Sequence, residues 1–389
     1  MNFVILTDYY HPIVKSGSII VGDLATELLR QENFVTIVTF VDDLDRRYQD
    51  TMEDGVRVVR IRSRSRKYGM VGRLWSEYSY SSKIIKTLRS IDSISYDSII
   101  CYSPSIFYGK AIEWLKKIDD VKAYLVIRDI FPKWAVDAGI IKKGLLYKFF
   151  KYIESNLYDS VDFIGIEASS DVDYFNKYAK PKKVEVLDNW SAPIESVDMS
   201  LGANVLDETK VNILYGGNMG DAQDLVSLIA LIDDSILDGK AVLTLIGEGG
   251  QVGPIRKIIA DNSVKSIKIL PVVDRDTYLS ILHRADIGLV SLNKQLASNN
   301  YPLKMVGYIQ FSMPILASVN KGNEIVELIN EKNIGLVSLT GNKEEFNKNL
   351  QLIINNEGLR KTQGRNSSDL FNDRFTVKAA VSQISSHFS

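Results

Sequence analysis

The sequence predicts an α/β fold with two Rossmann-like domains that face a central cleft. Short β-branched segments alternate with amphipathic helices, an order typical of right-handed βαβ units and a doubly wound parallel sheet. The alternation stops at a polar, poorly periodic connector, residues 191–210, and then starts again. Two such runs in a chain of 389 residues predict two domains.

In the first run, apolar positions at helical spacing predict a helix at 18–32. Short, mainly apolar segments predict strands at residues 3–8, 34–40, 56–62, 96–103, 122–129, 161–169 and 183–190. The segment 56–62 alternates between apolar and polar residues, so we expect this strand to be half exposed. The segments 96–103 and 122–129 are almost continuously apolar, as buried strands of a parallel sheet require.

The second run repeats the pattern, with a helix at 224–232 and strands at 211–217, 241–250, 266–273, 285–292, 313–319 and 334–339. A final amphipathic helix is predicted at 376–388.

Composition places the chain among globular proteins, with 45% apolar and 24% charged residues. No apolar segment is long enough to span a bilayer, and the N-terminus lacks the features of a signal peptide, so we expect a cytoplasmic protein. The single cysteine, Cys101, excludes an internal disulfide and a cysteine-rich zinc site. A net charge of −1 argues against a nucleic-acid partner.

One region is strongly basic. Between Arg57 and Arg89 there are ten Lys or Arg residues and a single acid, Glu77. Aromatic residues are interleaved with these charges, and a second basic and aromatic cluster follows at 142–154. Both clusters favour peripheral binding to an anionic membrane, at the inner face of the cell membrane. The alternative is a solvated loop and an ordinary core helix. The candidate membrane residues are Arg64, Arg66, Lys67 and Trp75.

Two candidate sites follow strands of the first domain, at the edge where open α/β sheets bind ligands. Gly17 and Ser18 open a helix after a long loop that suits a phosphate. This loop lacks the G-x-G-x-x-G spacing of a dinucleotide site, and the alternative is a surface loop with a serine cap. Arg128 and Asp129 end a buried strand, where they would orient an acceptor hydroxyl or form a structural ion pair.

In the second domain, Gly217, Asn218 and Gly220 form a turn after a strand, and its backbone amides would cradle a diphosphate. A plain glycine turn is the alternative. Glu248 follows the next strand and either faces the ligand or caps a helix. Arg275 follows the strand after that, where it would contact a base or a phosphate.

A residue next to Arg275, Asp274, is expected to be a helix N-cap.

The segment "NNYPLKMVGYIQFSMPIL", residues 299–316, contains the most distinctive candidate, Lys304. It comes shortly after a proline at a helix start, among apolar neighbours. Its ammonium and the positive end of the helix would together hold a phosphate. The alternative, a solvated lysine, fits this apolar environment less well.

Several motifs together resemble a known family. "RDIFPKWAVDAGII", "YGGNMGDAQDL", "LIGEGGQ" and "PLKMVGYIQFSMPILAS" occur in the order found in retaining glycosyltransferases of family 4, which have the GT-B fold. The chain is most similar to the branch that makes bacterial O-antigen and capsule sugars, the N-acetylfucosaminyl transferase-like proteins. The resemblance implies transfer of a sugar from a nucleoside diphosphate-sugar, most readily a UDP-sugar, to a lipid-linked or glycan acceptor. No metal or other cofactor is implied.

The resemblance also assigns the domains. Residues 1–195, with the C-terminal helix 375–389, would bind the acceptor, and residues 196–374 the nucleotide-sugar. Lys304 would clamp the diphosphate, and Arg128 with Asp129 would lie between acceptor and donor.

One departure leaves the activity open. The glutamate that contacts the ribose or sugar in the family is replaced by Gly307, and Asn299 stands at the paired upstream position. Glu324 is the candidate substitute. The alternatives are therefore a degenerate, non-catalytic binding partner and a nucleotide-sugar epimerase.

Overall fold

The structure, a computed structural model, describes residues 1–13, 16–63, 76–91, 95–137, 139–178, 183–194, 196–295 and 301–388. The chain divides into two compact units. The first consists of Met1–Ala192 and Val377–Ser389, and the second of Pro193–Thr376. Each unit has its own sheet and its own hydrophobic core.

The first unit contains an eight-stranded sheet with the order β3-β4-β2-β1-β5-β6-β7-β8. All neighbouring strands are parallel except β3, which runs antiparallel to β4. The strands are β1 (Asn2–Thr7), β2 (Phe34–Val41), β3 (Tyr48–Glu53), β4 (Val56–Arg62), β5 (Ser98–Tyr102), β6 (Lys122–Val126), β7 (Phe163–Ile166) and β8 (Lys183–Val186).

The helices of this unit are α1 (Ser16–Arg30), α2 (Tyr80–Ile91), α3 (Gly109–Asp119), α4 (Lys133–Asp137), α5 (Leu145–Ser160), α6 (Val172–Tyr178) and the last helix of the chain, Val377–Ser385. They cover a sheet whose central strands are buried on both faces. In β1 every residue after Asn2 is buried, and all of β5 is buried. This explains the almost continuous apolar sequence of these strands.

The expectation that 56–62 is a half-exposed strand was wrong. An additional strand lies beside it in the sheet and supplies carboxylates to its arginines. The antiparallel β3 was not predicted from the sequence, and it pairs with β4 along its length. It also neutralises the arginines that made β4 look exposed: Arg57 donates to Asp50, with Nη2 to Oδ2 at 2.5 Å, and Arg60 donates to Glu53, with Nη2 to Oε2 at 2.7 Å. Most of β4 is therefore buried.

The last helix of the chain packs within the first unit. Its side chain Gln383 donates to the carbonyl of Val186 at 2.9 Å, so the helix is tied to the end of β8. His387 beyond it lies 2.9 Å from Glu185 and stacks on the ring of Phe163, with centroids 4.2 Å apart.

The second unit contains a parallel six-stranded sheet with the order β11-β10-β9-β12-β13-β14. The strands are β9 (Val211–Gly216), β10 (Ala241–Ile246), β11 (Ile267–Leu270), β12 (Ile287–Ser291), β13 (Ile315–Val319) and β14 (Gly335–Leu339). The helices are α7 (Leu225–Leu231), α8 (Asp234–Leu237), α9 (Val252–Asp261), α10 (Arg275–Arg284), α11 (Leu303–Gln310), α12 (Glu324–Lys332), α13 (Lys343–Asn355) and α14 (Glu357–Leu370). The last helix of the chain, Val377–Ser385, is therefore α15.

Strand order in the second unit fixes where a ligand would bind. From β9 the chain proceeds outward to β10 and β11, and then returns to the other side of β9 to form β12, β13 and β14. The order reverses between β9 and β12. In open α/β sheets such a reversal leaves a crevice beyond the carboxyl ends of the two strands.

Candidate active site

The turn after β9 lies at this reversal point, and its glycines are required by close packing. Gly216 has no room for a side chain, because a Cβ would lie 1.9 Å from the hydroxyl oxygen of Tyr278. Gly217 has a φ of 121°, a backbone conformation that favours glycine. The turn after β10 packs closely against the turn after β9, since a Cβ on Gly247 would lie 2.0 Å from the carbonyl oxygen of Gly217.

The predicted cradle of backbone amides is not supported for most of this turn. The amide of Gly217 donates to the backbone carbonyl of Ile246, and the amide of Met219 donates to the backbone carbonyl of Glu248. The amides of Gly216 and Gly220 donate to the side chains of Tyr308 and Gln223 respectively. These amides already have acceptors within the protein, two of them in or next to the turn after β10. The glycines are therefore explained by close packing of the two turns.

Lys304 is the outstanding feature of the site. It is the second residue of α11, which begins after Pro302 without a side-chain cap. Within the described part of the chain, its Nζ is buried and has no hydrogen-bond partner. Nζ lies 3.5 Å from the centroid of the Tyr215 ring, on which it makes a cation–π contact. It also lies 3.7 Å from the position of a Cβ on Gly217, beside the turn after β9.

Burial lowers the pKa of Lys304 to about 7, from an ordinary value of 10.5. Desolvation is the cause, because the charged form loses water and gains no carboxylate in exchange. A buried lysine normally has an anionic partner. The site therefore has a cation beside a helix N-terminus, an arrangement that favours binding of an anion.

Three tyrosines that the sequence did not single out hold this arrangement in place. Tyr215 lies beneath Lys304 and donates to the carbonyl of Asn218 at 2.5 Å. Tyr308 accepts the amide of Gly216 at 3.1 Å. Tyr278 fills the space beside Gly216. They are far apart in sequence, so only the tertiary structure brings them together.

The other predicted residues of the second domain follow successive strands at the same edge. Asn218 is exposed and donates to Gln223 at 3.0 Å. Glu248 is exposed in the turn after β10, one strand from β9. Arg275 is exposed as the first residue of α10 after β11, two strands or about 10 Å from β9. Glu324 is partly exposed as the first residue of α12, after β13.

Asp274 is confirmed as a helix N-cap, since its carboxylate accepts the amide of Thr277 at 2.9 Å. Gly307 lies inside α11 and meets only Leu282 Cδ1, 3.9 Å from the position of a Cβ. This position therefore has room for a Cβ, where the family pattern would place a glutamate. Asn299, at the paired position, lies outside the described residues.

The first sheet has a reversal point of its own between β1 and β5. Two adjoining cavities lie beyond these strands, with volumes of about 500 and 580 Å³. Asp8, Tyr9 and Glu77 line both of them. The larger cavity has apolar and aromatic walls and includes Asp129. Desolvation raises the pKa of this carboxyl group, although the side chain remains exposed to the cavity.

The strand predicted at 122–129 ends earlier, at Val126, so Arg128 and Asp129 lie just beyond β6. Arg128 forms an ion pair with Glu167, with Nη1 to Oε1 at 3.4 Å. Its guanidinium also donates to the carbonyl of Leu187 at 3.0 Å and lies 4.9 Å from the Trp190 ring centroid. The structural ion pair is thus present, with a partner that the sequence did not indicate.

Glu167, the partner of Arg128, was missed because it carries no local motif. It follows β7 and its side chain is 11% exposed. Desolvation raises its pKa to about 7, although Arg128 acts in the opposite direction. The carboxyl group therefore titrates near neutral pH, which makes the pair sensitive to pH.

Gly17 lies within α1 and packs against Tyr9, whose Cδ2 would be 2.6 Å from a Cβ at this position. The Oγ of Ser18 is buried, and among the described residues it has no hydrogen-bond partner. The predicted membrane residues Arg64, Arg66, Lys67 and Trp75 lie outside the described residues.

Among the residues that the structure describes, no helix has both the length and the apolar composition needed to cross a bilayer. In the same part of the chain, no group of three or more His, Cys, Asp and Glu residues is placed to hold a metal ion.

Comparison with known proteins agrees with this architecture. Residues 200–369, most of the second unit, match the family model "Glycosyl transferases group 1". A structure of an alpha,alpha-trehalose-phosphate synthase (UDP-forming) from Burkholderia xenovorans, in complex with glucose-6-phosphate, superposes with a TM-score of 0.71 at 10% identity. The match covers 100% of both chains. The fold is GT-B.

Two relatives carry glycosyltransferase names. The chain is 24% identical over 243 residues to "Probable glycosyltransferase WbjE" of Pseudomonas aeruginosa, covering 60% of this chain and 57% of that protein. It is 23% identical over 224 residues to "Putative colanic acid biosynthesis glycosyl transferase WcaI" of Escherichia coli K12, covering 55% of each. The chain thus spans little more than half the length of these relatives. Both names, like the description of the family model, are those of glycosyltransferases.

Proposed function

We propose that this GT-B protein is a glycosyltransferase that takes a nucleoside diphosphate-sugar, most readily a UDP-sugar, in its second domain. The buried, unpartnered ammonium of Lys304 carries the proposal. A diphosphate placed against Nζ supplies a negative charge that none of the described residues provides, and the N-terminus of α11 adds to its attraction. The UDP-forming activity in the name of the Burkholderia protein supports UDP as the nucleotide.

In the proposed reaction, the bond between the anomeric carbon and the diphosphate oxygen breaks, and an acceptor hydroxyl oxygen bonds to that carbon with retention of configuration. The hydroxyl proton leaves with the diphosphate or to solvent. Lys304 stabilises the negative charge that develops on the leaving diphosphate, an electrostatic role that requires no metal ion. Binding raises the pKa of Lys304, so the ammonium is charged when it is needed.

The acceptor is proposed to bind to the first domain, in the two adjoining cavities beyond β1 and β5. The apolar and aromatic walls of the 580 Å³ cavity, together with the carboxylates of Asp8 and Asp129, suit a saccharide linked to a lipid. The colanic acid biosynthesis in the name of the E. coli relative supports a role in bacterial surface polysaccharide synthesis. Such an acceptor would be reached at the inner face of the membrane.

The first test is a thermal-shift panel with UDP-, GDP-, ADP- and dTDP-sugars. A ligand at about 100 times its dissociation constant stabilises the protein by about 2.7 kcal/mol. We expect one nucleotide class to stabilise the wild type and the control Lys348→Ala, an exposed lysine of the same domain. The shift should be lost in Lys304→Ala. Equal shifts in both variants would refute the assignment of Lys304.

A second candidate function is a degenerate protein that binds the nucleotide-sugar without transferring it. The absence of a carboxylate at Gly307 favours it. Binding in the thermal-shift panel without release of UDP, when the purified protein is mixed with a lipid extract containing acceptors, would support this alternative. Release of UDP that depends on the extract would support the transferase.

A further inference from the structure

Helix α5, Leu145–Ser160, has apolar residues on two opposite faces. The inner face is buried in the first core through residues such as Phe150 and Leu157. On the outer face, Leu145 is 86% exposed, Phe149 44% and Tyr152 64%. Their spacing of four and three residues places them on one side of the helix. A helix at the surface of a soluble domain normally carries polar residues on its outer side.

Other exposed apolar residues, in the first turn of the helix and in the segment before it, extend this surface. Leu146 is 52% exposed, and Trp134 and Ile140 just before the helix are 45% and 57% exposed. Leu145, Leu146, Trp134 and Ile140 also line the 580 Å³ cavity that includes Asp129. The apolar surface is therefore continuous with the groove that runs to Asp129.

The segment that carries the start of this surface is positively charged. Residues 142–153 include four lysines and no acid. Lys142, Lys143 and Lys148 are exposed, whereas Lys151 forms an ion pair with the buried Glu154. A second copy of the chain, packed face to face, would bring lysines against lysines. An anionic lipid surface complements both the lysines and the apolar side chains.

We propose that the start of α5 is a membrane-docking surface, on which Leu145, Leu146, Phe149 and Tyr152 enter the interface of an anionic bilayer and the flanking lysines contact lipid phosphates. Docking would bring the open end of the groove to the membrane, so that a lipid chain enters it directly. This last step rests on the proposed function, since it concerns the lipid-linked acceptor. The docking itself does not.

Docking is tested by co-sedimentation of the full chain with vesicles of phosphatidylcholine alone or mixed with phosphatidylglycerol. We expect binding to the anionic vesicles that weakens as salt is added. Leu145→Gln and Phe149→Gln should each weaken it about tenfold, because each removes an apolar side chain from the interface. Lys142→Gln and Lys143→Gln should each weaken it about fivefold. Leu352→Gln, a control at an exposed leucine of the second domain, should have no effect.

A second measurement does not depend on these variants. Quenching by brominated lipids should decrease the fluorescence of the wild type more than that of Trp134→Phe, because Trp134 lies at the edge of the surface. Wild-type binding to anionic vesicles that is unchanged in Leu145→Gln and Phe149→Gln would overturn the proposal. So would a dimer that Leu145→Gln converts to a monomer, since the surface would then be a self-interface.

Failure to bind any vesicle, in a protein still stabilised by a nucleotide-sugar, would refute the docking surface and leave the donor site intact. Vesicle binding without any response to nucleotide-sugars would support the docking surface and refute the donor site.

Discussion

Replacing Lys304 by Met should stabilise the protein at low pH, because it removes a buried charge without leaving a cavity. A pKa lowered from 10.5 to about 7 corresponds to about 5 kcal/mol of unfavourable free energy for the protonated form. The expected gain in the free energy of unfolding is therefore up to about 5 kcal/mol near pH 6.

The pH dependence distinguishes this cause from better packing. Below about pH 7, Lys304 is protonated in both the folded and the unfolded wild type, so the full penalty is present. Between about pH 7 and 10.5 only the unfolded chain keeps the proton, and wild-type stability rises with pH. The advantage of Lys304→Met should therefore shrink across this range and disappear above it.

The assay is urea unfolding followed by circular dichroism at several pH values. Tryptophan fluorescence reports on the first unit, because all four tryptophans, Trp75, Trp114, Trp134 and Trp190, belong to it. Lys348→Met is the matched variant and should show no pH-dependent gain. A gain that does not vary with pH, or a loss of stability in Lys304→Met near pH 6, would refute the reasoning.

Three further predictions concern ligand affinity, helix stability and the ion pair of the first domain. The affinity for a UDP-sugar should fall by up to about tenfold per pH unit above pH 7, because binding requires Lys304 to take up a proton, and calorimetry in two buffers with different ionisation enthalpies would detect that proton. Gly307→Ala should raise the free energy of unfolding by about 1 kcal/mol, because glycine is unfavourable inside a helix and the Cβ has room; Gly307→Glu should additionally tighten UDP-sugar binding, and an unchanged dissociation constant would contradict this. Arg128→Met should cost about 3 kcal/mol near pH 8, and less near pH 5, where Glu167 is already neutral in the wild type; urea midpoints read by fluorescence would show a pH-independent loss if the pair is not ionic.

Much of the fold could be predicted from sequence, because parallel strands buried on both faces consist mainly of apolar residues. The predicted strand 34–40 differs from β2 by one residue, and 56–62 coincides with β4. Predicted ends were less accurate. The segment 241–250 ends as a strand at Ile246, because the glycines that follow form a turn. The strand β3 was missed because "YQDTME" contains few β-branched residues and is defined by its pairing with β4.

The candidate site was only partly predictable, for a different reason. A helix start after a proline can be recognised locally, and this placed Lys304 correctly at the start of α11. The environment of its ammonium is formed by Tyr215 and Gly217, which are more than 80 residues away in sequence. The amides of the glycine turn were misjudged because their acceptors, such as Ile246, belong to another strand. Hydrogen-bond partners distant in sequence leave no local pattern.

The return of α15 to the first unit has a consequence for the biosynthesis of the chain. A ribosome delivers residues in order, so the first unit remains without its final helix until the whole second unit has been made. Val377, Ala380, Val381 and Ile384 are buried when α15 packs, and their absence leaves an apolar surface uncovered during that interval. The second unit is continuous in sequence and is the first that can fold completely. A protein truncated after Ala192 would lack this helix permanently, whereas residues 193–376 form an uninterrupted unit suited to expression alone.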